Sequence, residues 1–281
     1  MSTPLTRRSF LAFSSMIPLA VLARPSSSIP VGLELYSVRD ELQRDPQGTV
    51  RAVAKMGYQC VEFYAPYLDW NEGQTKEMRK LLDDLGIRCS STHNGAEQLR
   101  VANLDKVRDR NLILGSRYVV QASSPEQTTL DGWKSVAASL NAAADRLAPS
   151  GLKVGYHNHQ PEFTPLEGKR PIEVIAANTM PSIMLQLDVG TCLNAGSDPV
   201  AWIRANPGRI RSLHLKDWSP DPAKGYKVLF GEGVADWKAI FAAAESVGGV
   251  EYYLIEQEGS RFTPFETAEK CLATIRKIKN A

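Results

Sequence analysis

The sequence predicts a single-domain (β/α)8 barrel, and three observations support this fold class. About eight short apolar, strand-like runs alternate with segments in which apolar residues recur every three to four positions, as in amphipathic helices. Parallel strands need such helical crossovers, and 281 residues suffice for eight βα units. A doubly wound open sheet is the alternative, but the segment after the first strand, residues 36–40 (YSVRD), lacks the glycine-rich turn typical of that fold.

The predicted strands and helices alternate along most of the chain. The predicted strands are short runs rich in β-branched and other apolar residues, at 31–38, 58–64, 87–92, 117–121, 152–157, 183–188, 210–215 and 252–257. The predicted helices cover residues 50–56, 76–85, 133–147, 200–205, 237–247 and 265–278. Several of these segments are followed or closed by a glycine, such as Gly57, Gly86 or Gly248, which is a common helix C-terminal signal.

The first 23 residues are predicted to be an export signal, and the barrel domain is assigned to residues 30–281. Residues 6–11 (TRRSFL) resemble a twin-arginine motif, and the apolar stretch that follows, 11–23, is too short for a stable membrane anchor. We therefore expect a periplasmic protein that begins near Arg24 and has no membrane attachment after signal removal. Twin-arginine export carries folded proteins, which suits a cofactor loaded before export.

The composition favours a small-molecule partner. The formal net charge is +2, and basic and acidic residues are mixed along the chain without a basic stripe, so no nucleic-acid partner is expected. The four cysteines lack the spacing of a zinc or redox motif and are expected to be buried. The sequence leaves open whether the chain forms a homo-oligomer.

All four histidines, His93, His157, His159 and His214, follow short strand-like runs. In a (β/α)8 barrel the carboxyl ends of the strands meet at one rim, where active sites lie. Histidine is a common metal ligand and proton shuttle near neutral pH. Other ionisable side chains end strands in the same way, and they are Glu62, Asp188, Lys216 and Glu256. The sequence therefore predicts one metal or acid/base site at this rim.

The predicted metal ligands are Asp188, His214, Glu256 and one histidine of strand 5. His157 and His159 are two residues apart and so point to the same face of that strand; one can bind the metal while the other acts as base or contacts the substrate. A mixed imidazole and carboxylate set suits a divalent metal, with manganese favoured by the carboxylates and zinc, cobalt or iron as alternatives.

Further roles are assigned to residues near the same rim. His93 on strand 3 is the competing base. Lys216 shares a face with His214, where it either stabilises an enolate oxygen, acts as a base, or forms an ion pair with Asp217 or Glu256. The predicted substrate-contacting residues are Glu62, Asn158 and Trp218.

Five motifs, VGYHNHQPEF, LQLDVGT, SLHLKD, FGEGVADW and YYLIEQE, resemble in order and spacing the xylose-isomerase-like TIM-barrel superfamily of AP-endonuclease-2-type barrels. That superfamily contains sugar isomerases and epimerases, inosose dehydratases and endonuclease IV. The resemblance implies a divalent metal, commonly manganese, bound by the strand 5 histidine pair, Asp188, His214 and Glu256. One departure is evident: epimerases of the superfamily usually carry a glutamate on strand 5, where this chain has histidines, so a histidine base is favoured over a pair of glutamates.

These observations predict a metal-dependent sugar isomerase or epimerase that removes a proton next to a carbonyl of a sugar or keto-sugar. A 3-keto-glycoside lyase or deglycosidase using the same site is one alternative. A non-catalytic periplasmic sugar-binding barrel is another. The low histidine count, the small net charge and the export signal argue against an endonuclease.

Overall fold

The fold was established from a computed structural model, which describes residues 29–280. Eight parallel strands pair in sequence order and β8 pairs with β1, so that the sheet closes into a barrel and the predicted fold class is confirmed. The strands are β1 Val31–Glu34, β2 Cys60–Phe63, β3 Arg88–Gly95, β4 Tyr118–Ser123, β5 Lys153–His157, β6 Met184–Asp188, β7 Ser212–Leu215 and β8 Tyr252–Ile255. The predicted export signal, residues 1–23, lies outside the described residues.

The helices surround the barrel. All six predicted helices are present, as α2 Pro46–Met56, α3 Glu72–Leu85, α5 Leu130–Leu147, α9 Pro199–Ala205, α10 Trp237–Ala243 and α11 Pro264–Asn280. The sequence did not predict α1 Arg39–Arg44, α4 Leu104–Leu114, α6 Gln160–Phe163, α7 Pro171–Asn178 and α8 Val189–Asn194. Most of these are too short to show two turns of amphipathic periodicity.

The barrel interior is layered. Its lower part is apolar and consists of Cys60, Tyr118, Val120, Met184, Tyr252 and Leu254. Moving along a strand by two residues keeps a side chain on the same face, so inward-facing residues nearer the carboxyl ends of the strands lie above this layer. In β6, Met184 is thus followed by Gln186 and then Asp188. The polar residues therefore lie together at the carboxyl end of the barrel.

The first strand is shorter than predicted. The sequence suggested a strand to residue 38, but β1 ends at Glu34 and Leu35–Val38 form a 3-10 turn. The Glu34 carboxylate accepts a hydrogen bond from the backbone N–H of Tyr36 at 2.7 Å, which caps the turn. This early end places Glu34 at the rim instead of in the middle of a strand.

The cysteines are free and buried, as expected. Cys60 faces the barrel interior, whereas Cys89 on the adjacent strand belongs to the core between the barrel and its helices. Their side chains therefore lie on opposite faces of the sheet, where they cannot form a disulfide. Within residues 29–280, no helix combines the length and apolar character needed to cross a membrane.

Candidate metal centre

Four buried side chains from consecutive strands converge at the carboxyl end of the barrel. They are His157 at the end of β5, Asp188 at the end of β6, His214 in β7 and Glu256 directly after β8, and one ligand atom from each lies within 4.8 Å of all the others. The cluster adjoins a cavity of about 340 Å³. The cavity is lined by Glu34, Tyr36, Tyr64, His93, Asn94, Gly95, Ala122, Ser123, His157, His159, Glu256 and Glu258.

Asp188 presents one carboxylate oxygen that the protein does not satisfy. Its Oδ1 caps α8 by accepting from the Thr191 N–H at 2.9 Å. Its Oδ2 is buried and has no hydrogen-bond partner within the described part of the chain; Lys216 Nζ is 3.7 Å away and His157 Nε2 is 4.0 Å away. An unpartnered buried carboxylate oxygen is costly unless a ligand completes it. The donor set therefore fits a divalent cation.

Gln186 sets the proton position on His157. The Gln186 amide nitrogen donates to Glu62 Oε1 at 3.0 Å and Ser212 Oγ at 3.1 Å, so its oxygen faces the histidine. His157 Nδ1 lies 3.1 Å from that oxygen and must be the protonated nitrogen. Its Nε2 lone pair is then left towards Asp188. Burial, reinforced by His214 and His93, lowers the pKa of His157 well below its usual value, which keeps the imidazole neutral as a metal ligand must be.

His214 is held between two carboxylates. Its Nδ1 contacts Glu256 Oε2, and its Nε2 lies 2.8 Å from Glu62 Oε2. Burial alone would lower the pKa of His214, but Glu62 and Glu256 outweigh it and raise the pKa to about 10. Without a metal the ring is therefore a cation. With Nδ1 on a metal, the Nε2–H bond to Glu62 would orient the ring, a common arrangement at metal sites.

Negative charge exceeds positive charge in this region. Within residues 29–280, Glu62, Asp188 and Glu256 face two buried cations, His214 and Lys216. Burial and the nearby Glu256 raise the pKa of Asp188, although Lys216 opposes them. Burial would also raise the pKa of Glu256, but Lys216 and His214 lower it well below the usual value. An additional cation would relieve the repulsion among the carboxylates.

His93 also has a defined tautomer. Its Nε2 lies 2.7 Å from Gln186 Oε1 and 3.0 Å from Glu62 Oε2, and both atoms are acceptors, so Nε2 carries the proton and Nδ1 keeps a lone pair. The ring stacks on His214 with centroids 5.0 Å apart. Burial lowers the pKa of His93 more than Glu62 raises it. His93 is therefore a neutral imidazole in the cavity wall.

The structure separates the two strand 5 histidines. His157 is buried in the four-residue cluster, whereas His159 follows the end of β5, is exposed and lies at the edge of the cavity. Their ring centroids are 5.0 Å apart. Within the described residues, His159 belongs to none of the groups of potential metal ligands whose atoms lie within 4.8 Å of one another. Of the two histidines, the structure thus brings only His157 together with Asp188, His214 and Glu256.

The three residues predicted to contact substrate all lie outside the set that lines the cavity. Glu62 is fully buried beneath the histidines and orients them. Asn158 accepts from the Asp188 N–H at 3.0 Å and donates to Thr191 Oγ1 at 2.9 Å, so it positions Asp188. Trp218 is half-buried. Glu62 and Asn158 thus contact other side chains of the site, and Trp218 lies outside the cavity wall.

Lys216 is an ion-paired cation. Its Nζ donates to Glu256 Oε1 at 3.1 Å and also to Glu258. Burial would lower the pKa of Lys216, but Glu256, Asp188 and Glu258 raise it well above the usual value, so it is not suited to act as a base. Asp217 instead accepts from the Gly231 and Gly233 backbone N–H groups and orders the loop after β7.

Glu34 and Gln186 belong to the site but were not identified from the sequence. Glu34 looked like a mid-strand residue because the first strand was predicted to extend to residue 38. Gln186 carries no charge, but it lies two positions before Asp188 and so shares its inward face. That spacing is the signal that could have identified it.

Replacing Gln186 by Leu is expected to weaken metal binding by about 10- to 100-fold, as observed for groups that orient metal ligands elsewhere. Without the amide oxygen, neither the His157 tautomer nor its ring orientation is defined. Metal titration with isothermal calorimetry measures the change. Gln121→Leu, which alters another buried glutamine on β4, is the control and should bind metal as the wild type does. Equal metal affinity in both variants would contradict the role of Gln186.

A larger cavity, of about 570 Å³, lies at the opposite end of the barrel. It is lined by residues that precede or begin strands, among them Pro30, Arg88 and Arg117. The neighbouring groups of potential metal ligands found within residues 29–280 all lie at the carboxyl end instead. The smaller cavity is therefore the candidate site.

Known proteins with similar sequences include enzymes that process sugars. Inosose dehydratase from Geobacillus thermodenitrificans is 27% identical over 167 residues, which is 53% of this chain and 55% of that protein. L-Ribulose-5-phosphate 3-epimerase from Salmonella paratyphi C is 33% identical over 100 residues, or 36% of this chain and 32% of that protein. The matches thus span about half or less of these relatives' lengths.

A crystal structure described as a sugar phosphate isomerase/epimerase from Parabacteroides distasonis superposes with a TM-score of 0.77. It is 27% identical, and the match covers 92% of this chain and 98% of that one. The sequence profile of the xylose isomerase-like TIM barrel family matches residues 50–278. The family profile thus covers most of the sequence and all but the first strand of the barrel, and the chain belongs to the xylose isomerase-like TIM barrel family.

Proposed function

We propose that this protein is a divalent-metal-dependent enzyme of the sugar isomerase/epimerase type, which removes a proton next to a carbonyl of a sugar or keto-sugar. The observation that carries the proposal is the buried cluster of His157, Asp188, His214 and Glu256 beside the 340 Å³ cavity. The names of the sugar-processing relatives support the same class of chemistry.

A metal held by these four residues would act as a Lewis acid and stabilise negative charge on the substrate oxygens. Two imidazoles with two carboxylates favour manganese, and zinc, cobalt and iron also accept such a set. Lys216 keeps Glu256 ionised. Glu62 and Gln186 hold the histidine rings in place beneath the cavity.

His93 is the better-placed base of the two histidines that line the cavity outside the cluster. It is buried, and its Nδ1 lone pair results from the two acceptors at Nε2. His159 is exposed at the cavity edge, where water competes for its ring nitrogens. We therefore assign proton abstraction to His93 and a substrate contact to His159.

The cavity favours an unphosphorylated sugar. The residues that line it include neither lysine nor arginine, and three of them are glutamates, Glu34, Glu256 and Glu258. The nearby Lys216 is already paired with carboxylates. Phosphate recognition normally uses basic side chains or helix N-termini. Tyr36 and Tyr64, in edge-to-face contact at 5.4 Å, offer an apolar wall to a sugar ring.

Incubation of manganese-loaded protein in deuterated water tests this function. The panel contains free sugars, 3-keto-sugars, glycosides and sugar phosphates. We expect deuterium to enter the carbon next to the carbonyl of a neutral substrate, and chelation followed by manganese addition to abolish and then restore the exchange. Stoichiometric metal without exchange on any substrate would favour the sugar-binding barrel, and exchange restricted to sugar phosphates would contradict the neutral substrate.

Elimination is a second candidate reaction at the same site. After proton removal, the intermediate is either reprotonated, which gives an isomerase or epimerase, or loses a substituent, which gives a lyase. The second outcome requires a group that protonates the departing oxygen, and Glu34 is a buried carboxyl group that adjoins the cavity outside the metal cluster.

We also propose export by the twin-arginine pathway, with the mature chain in the periplasm beginning near Arg24. Replacement of Arg7 and Arg8 by lysine is expected to leave the uncleaved protein in the cytoplasm. Cell fractionation with N-terminal sequencing measures this. Lysine replacement of Arg51 and Arg88 is the control and should not affect export. Unchanged processing of the Arg7/Arg8 variant would contradict the proposal.

A further inference from the structure

Glu34 is a buried carboxyl group in the cavity wall that the proposed proton abstraction does not use. Only 1% of the residue is exposed, and it lines the cavity together with His157 and Glu256. Its Oε2 accepts from the Tyr36 N–H at 2.7 Å. Its Oε1 is buried and has no hydrogen-bond partner within residues 29–280. One oxygen therefore anchors the side chain while the other is left for a bound molecule.

The surroundings of Glu34 favour a neutral carboxylic acid. Burial is the largest effect, and the carboxylates of Glu256 and Glu62 add to it, so the pKa of Glu34 is raised well above its usual value despite the opposing charge of His214. A protonated carboxyl can donate one hydrogen bond, which an ionised one cannot.

A second metal site is a poor explanation for this residue. One ligand atom each from Glu34, Glu62 and His93 lie within 4.8 Å of one another. However, Glu62 Oε2 already accepts from two imidazoles, and Glu62 Oε1 accepts from the Gln186 amide. His93 Nε2 carries a proton because it faces two acceptors, Gln186 Oε1 and Glu62 Oε2. Both Glu62 oxygens are therefore engaged by hydrogen bonds, and a metal in this group would have to displace one of them.

We propose that Glu34 is the general acid that protonates a departing oxygen, so that proton abstraction leads to β-elimination. This inference rests on the proposed function. The base takes the proton from the carbon next to the carbonyl, and a carbon–carbon double bond forms. The carbon–oxygen bond at the next carbon breaks, and its electron pair leaves with the oxygen. That oxygen takes the proton of Glu34 and departs as an alcohol or water. The base then releases its proton to solvent, and the Glu34 carboxylate takes one up.

Substrates with different leaving groups test the assignment. Methyl 3-keto-glucoside releases a poor leaving group that needs a proton, whereas 4-nitrophenyl 3-keto-glucoside releases one that does not. We expect Glu34→Gln to slow methanol release by about 10²- to 10⁴-fold, the usual contribution of a general acid. Release of 4-nitrophenol should change little. The glutamine oxygen can still accept from the Tyr36 N–H, so the 3-10 turn is retained.

Deuterium exchange at C2 of the methyl substrate separates this inference from the proposed function. In Glu34→Gln, exchange should persist while methanol release is lost. Glu126→Gln, which alters an exposed glutamate outside the cavity wall, is the control and should behave as wild type.

Three outcomes would overturn part of the account. Equal methanol release from Glu34→Gln and the wild type would refute the role of Glu34. Wild-type exchange at C2 without release of either alcohol would refute elimination and leave proton abstraction standing. Absence of exchange in the wild type across the whole substrate panel would refute the proposed function itself.

Discussion

The Asp188→Asn protein is expected to bind metal at least about 100-fold more weakly than the wild type, because loss of a ligand should cost more than loss of a group that orients one. The substitution removes the charge that Oδ2 offers to a cation. The asparagine oxygen still caps α8, since Asn is as good a helix cap as Asp. Activity should fall with metal occupancy, which inductively coupled plasma mass spectrometry measures.

The effect of added metal on thermal stability should distinguish Asp188→Asn from the wild type. In the metal-free proteins, Asp188→Asn should be at least as stable as the wild type, because one of the three buried carboxylates no longer repels Glu256. Added metal should stabilise the wild type by about 2.7 kcal/mol at 100 times its Kd and leave the variant nearly unchanged.

Asp198→Asn is the matched control for this experiment. Asp198 caps α9 by accepting from the Val200 and Ala201 N–H groups, and it lies outside both the metal cluster and the cavity wall. This variant should keep wild-type metal content and activity. Full metal occupancy in Asp188→Asn would show that the metal binds elsewhere.

Three histidine variants should separate by metal content and rate. His157→Ala is expected to lose metal. His93→Ala is expected to keep metal and lose about 10²- to 10⁴-fold in rate, which is the usual contribution of a general base. His159→Ala should keep metal and most of the activity, since its ring is exposed at the cavity edge. Metal analysis combined with the deuterium-exchange rate measures all three.

The pH dependence follows from the lowered pKa of His93. Its neutral form is the active base, so kcat/KM should be constant above the pKa and fall as the pH drops through it. Because burial lowers that pKa, the midpoint should lie below the ordinary imidazole value of about 6.5. The His93→Ala protein should lack this decline. If His93→Ala is fully active and His159→Ala is inactive, the base is His159.

Much of the site could be predicted because parallel strands in a barrel all end at one rim. Asp188, His214 and Glu256 each end an apolar run, and the alternation of strands with helices was enough to infer that they meet. The confirmed barrel brings their ligand atoms within 4.8 Å. For these residues, the local sequence and the predicted strand order were enough to predict that they lie close together.

The choice between His157 and His159 depended on where β5 stops. A period of two places both side chains on one face only while the strand continues. β5 ends at His157, and the chain then turns into α6, so His159 moves to the exposed edge. Glu34 illustrates the same effect, because the 3-10 turn after β1 brings it to the rim.

The sequence also could not predict how deep each strand residue lies in the barrel. Glu62 ends an apolar run, as the metal-site residues do, yet it lies fully buried beneath the histidines. The height of a residue along the barrel axis depends on the stagger between paired strands, and β2 shifts register against β3 between Val61 and Glu62. The sequence alone determined the number and order of the strands and the clustering of ionisable residues near their carboxyl ends. The tertiary structure decided which of those residues face the metal, the substrate or each other, because strand stagger and chain direction after each strand arise only when the barrel closes.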